Sequence, residues 1–245
     1  MDSNKIMLFV DLDDTLFQTK RKNLSASIPA TKSPNTDTIS YMSDVQKSFL
    51  DLFSNFNSCS IIPVTARDYD QYSRTFISQD PNVEYASIYF GAEILFNNEI
   101  DPIWNDKVKY SLKKSSTEIK ILFYFIKNKI NTDHFYIYNI KDYYLVIKCK
   151  NRENYKELII DCLNFITEFI PDDFLINNND NNISIVPKCI DKMNAVEYLI
   201  EKNGPIMTIG MGDSLSDWNF MDICDYKIIP KISQINNEIN QKNIM

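Results

Sequence analysis

The sequence predicts an α/β fold whose parallel-sheet core is interrupted by a smaller α+β unit. Three observations carry that expectation. Short apolar runs, "IMLFV" (6–10), "CSIIPVTAR" (59–67) and "IMTIGMGD" (206–213), read as strands buried on both faces. Helical stretches separate the strands of the first 90 residues in a β-α-β-α-β order, the alternation that a parallel sheet needs. Between residues 114 and 187 the order changes to α-β-β-α-β-β, the pattern of a small antiparallel sheet with two helices on one side.

Taken along the chain, residues 6–10 form the first buried strand. Residues 18–42 are polar, carry Pro29 and Pro34, and read as a long loop. Ser43 then opens a helix through a Ser-x-x-Gln capping pattern with Gln46. Val45, Phe49, Leu52, Phe53 and Phe56 form its apolar face. The second strand ends at Thr65. A helix near 68–78 and a strand "ASIYF" (86–90) follow, closed by Gly91.

The middle segment predicts a helix over 114–130 and strands "FYIYNI" and "YYLVIKCK", split by the turn-like "KD". A helix at about 154–169 presents Leu158, Cys162, Phe165 and Phe169 on one face, and strands "DFLI" and "NISIV" complete the unit. After Pro187 the first pattern resumes. A helix over 191–203 is closed by Gly204-Pro205. A strand stopping at Asp213, a helical "WNFMDIC" and a last short strand "YKIIP" follow. The expected division is a core of residues 1–100 and 188–245 around an inserted unit of residues 101–187.

Composition bounds the function. The chain has 245 residues, a net charge of −7 and no basic run, which argues against nucleic-acid or anionic-membrane partners. No apolar segment approaches the ~20 residues of a membrane span. The N-terminus lacks the basic flank and cleavage site of a signal peptide, so a soluble cytoplasmic protein is expected. Cys59, Cys149, Cys162, Cys189 and Cys224 are scattered and read as small apolar residues in a reducing compartment. With His134 as the one histidine, the sequence argues against His-based nucleophile activation and multi-His metal sites. His134 itself reads as structural or surface, and Trp104 as core packing.

Four polar features sit just past the C-terminal ends of expected strands or at a helix start: Asp11/Asp13, Thr65, Lys192 and Asp213/Asp217. Ligand sites of parallel sheets collect at that edge. Each feature alone has an ordinary reading, as an N-cap, a solvated turn or a surface lysine. All four in this order point to one site. Converging Asp11, Asp13 and Asp213 would repel and raise one another's pKa, a cost that a divalent cation removes. Mg²⁺ suits this oxygen-only donor set. Metal, Lys192 and the Thr65 hydroxyl then form a pocket for a phosphoryl group. Asp11 is placed to attack phosphorus, and Asp13 to act as acid and then base.

These residues resemble the motifs of the haloacid dehalogenase-like phosphatase superfamily. "VDLDDTL" is similar to its first motif, which implies Asp11 as nucleophile and Asp13 as acid/base. "IIPVTAR" resembles the second, with Thr65 on phosphate, and "PKCIDKMNAVEYL" the third, with Lys192. "IGMGDSLSD" resembles the fourth, with Asp213 on Mg²⁺ and Asp217 on the metal or just behind it. The resemblance implies a Rossmann-like core with an inserted α+β cap, as in sugar-phosphate phosphatases. The Asp13 backbone carbonyl becomes a further metal ligand, Asp14 points elsewhere, and Thr15 braces the turn. Ala66, Phe90 and Ser216 depart from the family's usual Gly, Asn and Asn, and Arg67 becomes a candidate substrate contact.

The resulting expectation is a Mg²⁺-dependent phosphomonoesterase, monomeric or homodimeric, acting on a small phosphorylated metabolite such as a sugar phosphate. A phosphomutase would keep the same residues. A phospho-receiver would combine acids, Thr and Lys in a different order on a shorter chain. A non-catalytic phosphate-binding relative would bind without turnover.

Overall fold

The computed structural model describes residues 5–35, 37–56, 58–151, 155–179 and 181–242. The chain divides into two compact units, Met1–Asn105 with Asp191–Met245, and Asp106–Ile190. No helix among the described residues is long and apolar enough to cross a membrane.

In the first unit, β1 (Ile6–Val10) is an inner strand of a parallel sheet, and Met7 through Val10 are fully buried. That burial explains an apolar run without alternation. A hairpin of β2 (Ile28–Lys32) and β3 (Thr38–Met42) follows. The expectation of a loop over 18–42 is therefore corrected. The inward positions of this hairpin are Ala30, Thr31, Ser40 and Met42, mostly small or polar, so no apolar alternation marks it. Its edges are sewn to Gln18 and Thr75 by isolated bridges.

Helix α1 (Asp44–Ser54) begins with the expected capping box between Ser43 and Gln46. Its buried side centres on Leu50, while Val45, Leu52 and Phe56 are exposed, so the expected apolar face is corrected. The Gln46 amide decides the rotation. It donates to the Thr15 carbonyl and to Gln18 Oε1, turning its own face of the helix inward. Strand β4 (Cys59–Pro63) pairs in parallel with β1.

The helix expected over 68–78 is shorter: α2 (Tyr69–Ser73), then a 3-10 turn at Ile77–Gln79. Between them the backbone serves the hairpin instead, with Lys32 N donating to Arg74 O and Phe76 N to Ala30 O. Strand β5 (Tyr85–Ile88) stops two residues before the expected end, where Tyr89 and Phe90 take positive φ. It runs into β6 (Glu93–Phe96) and β7 (Glu99–Ile100), which the sequence did not announce. Asn97 and Asn98, both at positive φ, make the tight turn between them. A parallel bridge from Val64 to Ser87 joins β5 to the end of β4.

The boundary between the units falls inside α3 (Pro102–Leu112), another element absent from the expectation. The second unit contains α4 (Ile119–Lys129), β8 (Phe135–Ile140), β9 (Tyr144–Cys149), α5 (Tyr155–Thr167), β10 (Phe174–Asn179) and β11 (Asn182–Pro187). Its antiparallel sheet has the order β10-β11-β9-β8. Lys141 and Asp142, at positive φ, form the β8–β9 turn at the "KD" dipeptide. Leu122 and Ile126 of α4 and Ile159, Cys162 and Ile166 of α5 pack with Leu145, Ile147, Ile183 and Ile185 of the sheet. On α5 Cys162 is buried as expected, but Phe165 and, two residues past the helix end, Phe169 are exposed. The expected start of that helix at residue 154 lies outside the described residues.

The chain re-enters the first unit through α6 (Lys192–Asn203), capped by Asp191 and ended by Gly204 in the left-handed region. Strand β12 (Met207–Met211) pairs in parallel with β1, and α7 (Leu215–Asp222), β13 (Tyr226–Ile228) and α8 (Gln234–Lys242) follow. The parallel sheet has the order β13-β12-β1-β4. Val10 is level with Met211 on one side and Pro63 on the other, so all three strands end together.

Candidate active site

That shared end is where the polar side chains meet. Asp11 follows β1 directly, and its amide donates to the Met211 carbonyl at 2.9 Å. The sheet therefore fixes the Asp11 backbone one residue beyond the last pair. Lys192 is the first residue of α6, where a cation opposes the helix dipole. Two carboxylates offset that cost: Nζ donates to Asp11 Oδ1 at 2.6 Å and to Asp217 Oδ1 at 2.6 Å. Lys192 is 4% exposed and Asp217 fully buried, so this is an ion triad cut off from water.

Asp217 is held from behind. Its Oδ2 accepts from Ser214 N at 3.0 Å and Ser214 Oγ at 2.7 Å, the capping box of α7. Gly212 makes room for it, since a Cβ there would lie 2.4 Å from Asp217 Cβ. The first unit thus needs glycine next to the acidic pair in "GMGD". Thr15 closes the near side. Its hydroxyl lies 3.2 Å from Asp11 Oδ2 and 3.3 Å from Asp213 Oδ1, and so joins the two acids.

Asp11, Asp213 and Asp217 each offer one oxygen within 4.8 Å of the others. Three carboxylates against one ammonium leave two negative charges when all are ionised. Burial pushes the Asp11 carboxyl well up, and Asp217 adds to the push while Lys192 opposes it. Asp213 rises to about 7 through burial, with Asp217 and Asp14 as further causes. For Lys192 burial favours the neutral amine, but Asp11 and Asp217 outweigh it and raise its pKa. The donor set fits a hard divalent cation: oxygen-only, acidic by two charges, and strained electrostatically without one. Among the described residues, Asp11, Asp213 and Asp217 form the group that could hold such a cation.

The remaining sequence candidates are placed as follows. Thr65, 1% exposed, donates its amide to Ser87 O at 2.8 Å, and its Oγ1 accepts from Arg67 N at 3.2 Å. The carboxylate of Asp13 is not in the acidic trio. It is gripped by Arg67, with Nε donating to Oδ2 at 2.7 Å and Nη2 to Oδ1 at 2.7 Å. Asp14, at positive φ, turns away to pair with Lys22. Linear sequence gave no sign of the Arg67–Asp13 pair, whose members lie 54 positions apart. The double role of Thr15 was detectable only as its i+4 spacing from Asp11.

The sequence profile of the haloacid dehalogenase-like hydrolases matches residues 76–229. No curated protein matches the chain in sequence. Among solved structures, the sucrose-phosphatase of Synechocystis sp. PCC6803, in complex with sucrose and phosphate, aligns with a TM-score of 0.63 at 14% identity. That alignment covers 98% of this chain and 88% of the other. The trehalose-6-phosphate phosphatase C-terminal domain of C. albicans aligns with a TM-score of 0.56 at 18% identity, covering 98% and 76%. An IMP-bound, N-terminally truncated IMP-nucleotidase of Plasmodium falciparum aligns at 0.53 and 12% identity, covering 100% and 69%. These likenesses show a shared fold.

Proposed function

The chain belongs to the haloacid dehalogenase-like hydrolases, and we propose that it is a Mg²⁺-dependent phosphatase of a small phosphorylated metabolite, a sugar phosphate by preference. One observation carries the reading. At the common end of three parallel strands, a buried ammonium ties Asp11 to Asp217, and Asp213 completes an acidic trio. A hydrolase that needed only a binding surface would not keep this charge in its interior.

The chemistry follows from the side chains. Lys192 anchors Asp11 Oδ1 and Thr15 anchors Oδ2, which fixes the carboxylate while each oxygen keeps a lone pair. One of these oxygens attacks the phosphorus. The bond from phosphorus to the leaving oxygen breaks, and that oxygen takes a proton from Asp13. Asp13, now a carboxylate, takes a proton from water as the water oxygen attacks the same phosphorus. The bond from phosphorus to Asp11 breaks and orthophosphate leaves. Bound Mg²⁺ supplies charge neutralisation for the phosphoryl oxygens and the three carboxylates. Thr65 and Lys192 are assigned to the phosphoryl group, and Arg67 lies close enough to Asp13 to influence the proton transfers. The sugar-phosphate preference rests on the fold shared with the sucrose- and trehalose-6-phosphate phosphatases.

The test is release of orthophosphate from p-nitrophenyl phosphate and from a panel of sugar phosphates, with and without Mg²⁺. Turnover that needs Mg²⁺ and vanishes in Asp11→Asn is expected. Equal phosphate release by wild type and Asp11→Asn would refute it.

A further inference from the structure

Arg67 is a candidate substrate contact by sequence, yet each of its three guanidinium nitrogens already donates within the protein. Nε and Nη2 grip both oxygens of Asp13, each at 2.7 Å. Nη1 donates to the Gln71 carbonyl at 3.2 Å. The guanidinium lies over the Phe17 ring at 5.1 Å from its centroid, and the side chain is 13% exposed. Its own backbone is pinned too, since the Arg67 amide donates to Thr65 Oγ1 at 3.2 Å. Asp13, in contrast, is 50% exposed, and this fork takes both of its carboxylate oxygens.

The asymmetry is informative. An exposed aspartate on a turn samples several rotamers, and an acid/base group needs one. A bidentate guanidinium fixes the carboxylate plane as well as its position, which a lysine cannot do. Arg67 is in turn fixed from three sides by Phe17, Gln71 and Thr65. A residue kept for binding the phosphoryl group would hold its fork open toward the substrate. This one is closed on a neighbour.

We infer that Arg67 is a positioning residue that acts through Asp13, setting the carboxylate that exchanges protons in the reaction, and does not bind the phosphoryl group. The inference rests on the phosphatase reading above.

A double-mutant cycle separates the two. The measurements are kcat and KM for p-nitrophenyl phosphate with Mg²⁺, and the affinity for orthophosphate by calorimetry, in wild type, Arg67→Gln, Asp13→Asn and the double variant. Arg67→Gln should lower kcat by about 10- to 100-fold, the scale of a misplaced catalytic group, with KM and orthophosphate affinity unchanged within about twofold. Added to Asp13→Asn, it should cost nothing further, because the group it positions is already gone. Arg67→Lys, which keeps the charge and loses the fork, should fall between wild type and Arg67→Gln, and it carries the same test if Arg67→Gln folds poorly. A tenfold weaker orthophosphate affinity in Arg67→Gln, or an undiminished loss of kcat in the Asp13→Asn background, would overturn the inference. An inactive wild type would instead remove the phosphatase reading, and this role with it.

Discussion

Replacing Asp213 by Asn should stabilise the metal-free protein at alkaline pH. Asp213 titrates near 7 in the folded chain because burial, Asp217 and Asp14 disfavour its charge. Unfolded, an aspartate titrates near 3.9. The folded pKa is the higher one, so the folded state binds the extra proton between these values. Its stabilising effect is complete below about pH 4 and is lost as pH rises through 7. A gap of roughly three pKa units corresponds to at most about 4 kcal/mol at 1.36 kcal/mol per unit. Residual water around a partly exposed carboxylate reduces this to about 2–4 kcal/mol.

Asn cannot ionise, and its Oδ1 still accepts from Thr15. The variant should therefore melt roughly 5–15 °C higher than wild type at pH 8 with Mg²⁺ chelated, and at nearly the same temperature at about pH 3.5, below the unfolded pKa. Thermal unfolding followed by near-ultraviolet circular dichroism reads this directly. Added Mg²⁺ should raise the melting temperature of the wild type at pH 8 and leave the variant nearly unmoved. A variant no more stable than wild type at pH 8, or one stabilised equally at both pH values, would refute the electrostatic reasoning.

Further outcomes follow from the same site and its supports. Lys192→Met removes a buried cation and leaves Asp11 and Asp217 uncompensated. Urea unfolding at pH 8 without metal should show a loss of about 3–5 kcal/mol, and a loss below 1 kcal/mol would contradict a buried triad. Gly91→Ala should cost about 1–3 kcal/mol, because φ is +97° there and a Cβ would lie 2.5 Å from the Asp191 carbonyl. An unchanged unfolding midpoint would show that the 191 turn can move aside.

Much of this arrangement was legible in the sequence, and the reasons are physical. The strands before Asp11, Thr65 and Asp213 announce themselves because both their faces are buried, which forces unbroken apolar runs. Lys192 was legible only in company: alone it reads as a surface lysine, and its place at an expected helix start, in order with the acids and Thr65, marked it. The β2–β3 hairpin was not, since Ala30, Thr31 and Ser40 fill its inner positions without an apolar alternation. The rotation of α1 was misjudged because apolar periodicity favours Val45, Leu52 and Phe56, while Gln46 bonds to Thr15 and Gln18 and turns that stripe outward. Arg67 joined Asp13 through a contact between distant segments, which no local pattern encodes.

The central claim is that Asp11 is the group phosphorylated during turnover. Wild-type protein mixed with excess p-nitrophenyl phosphate and Mg²⁺, quenched in acid during turnover and digested, should carry one phosphoryl group on the peptide containing Asp11. Hydroxylamine should remove it, and Asp11→Asn should never acquire it. Steady phosphate release with no phosphoryl group on that peptide would contradict the account.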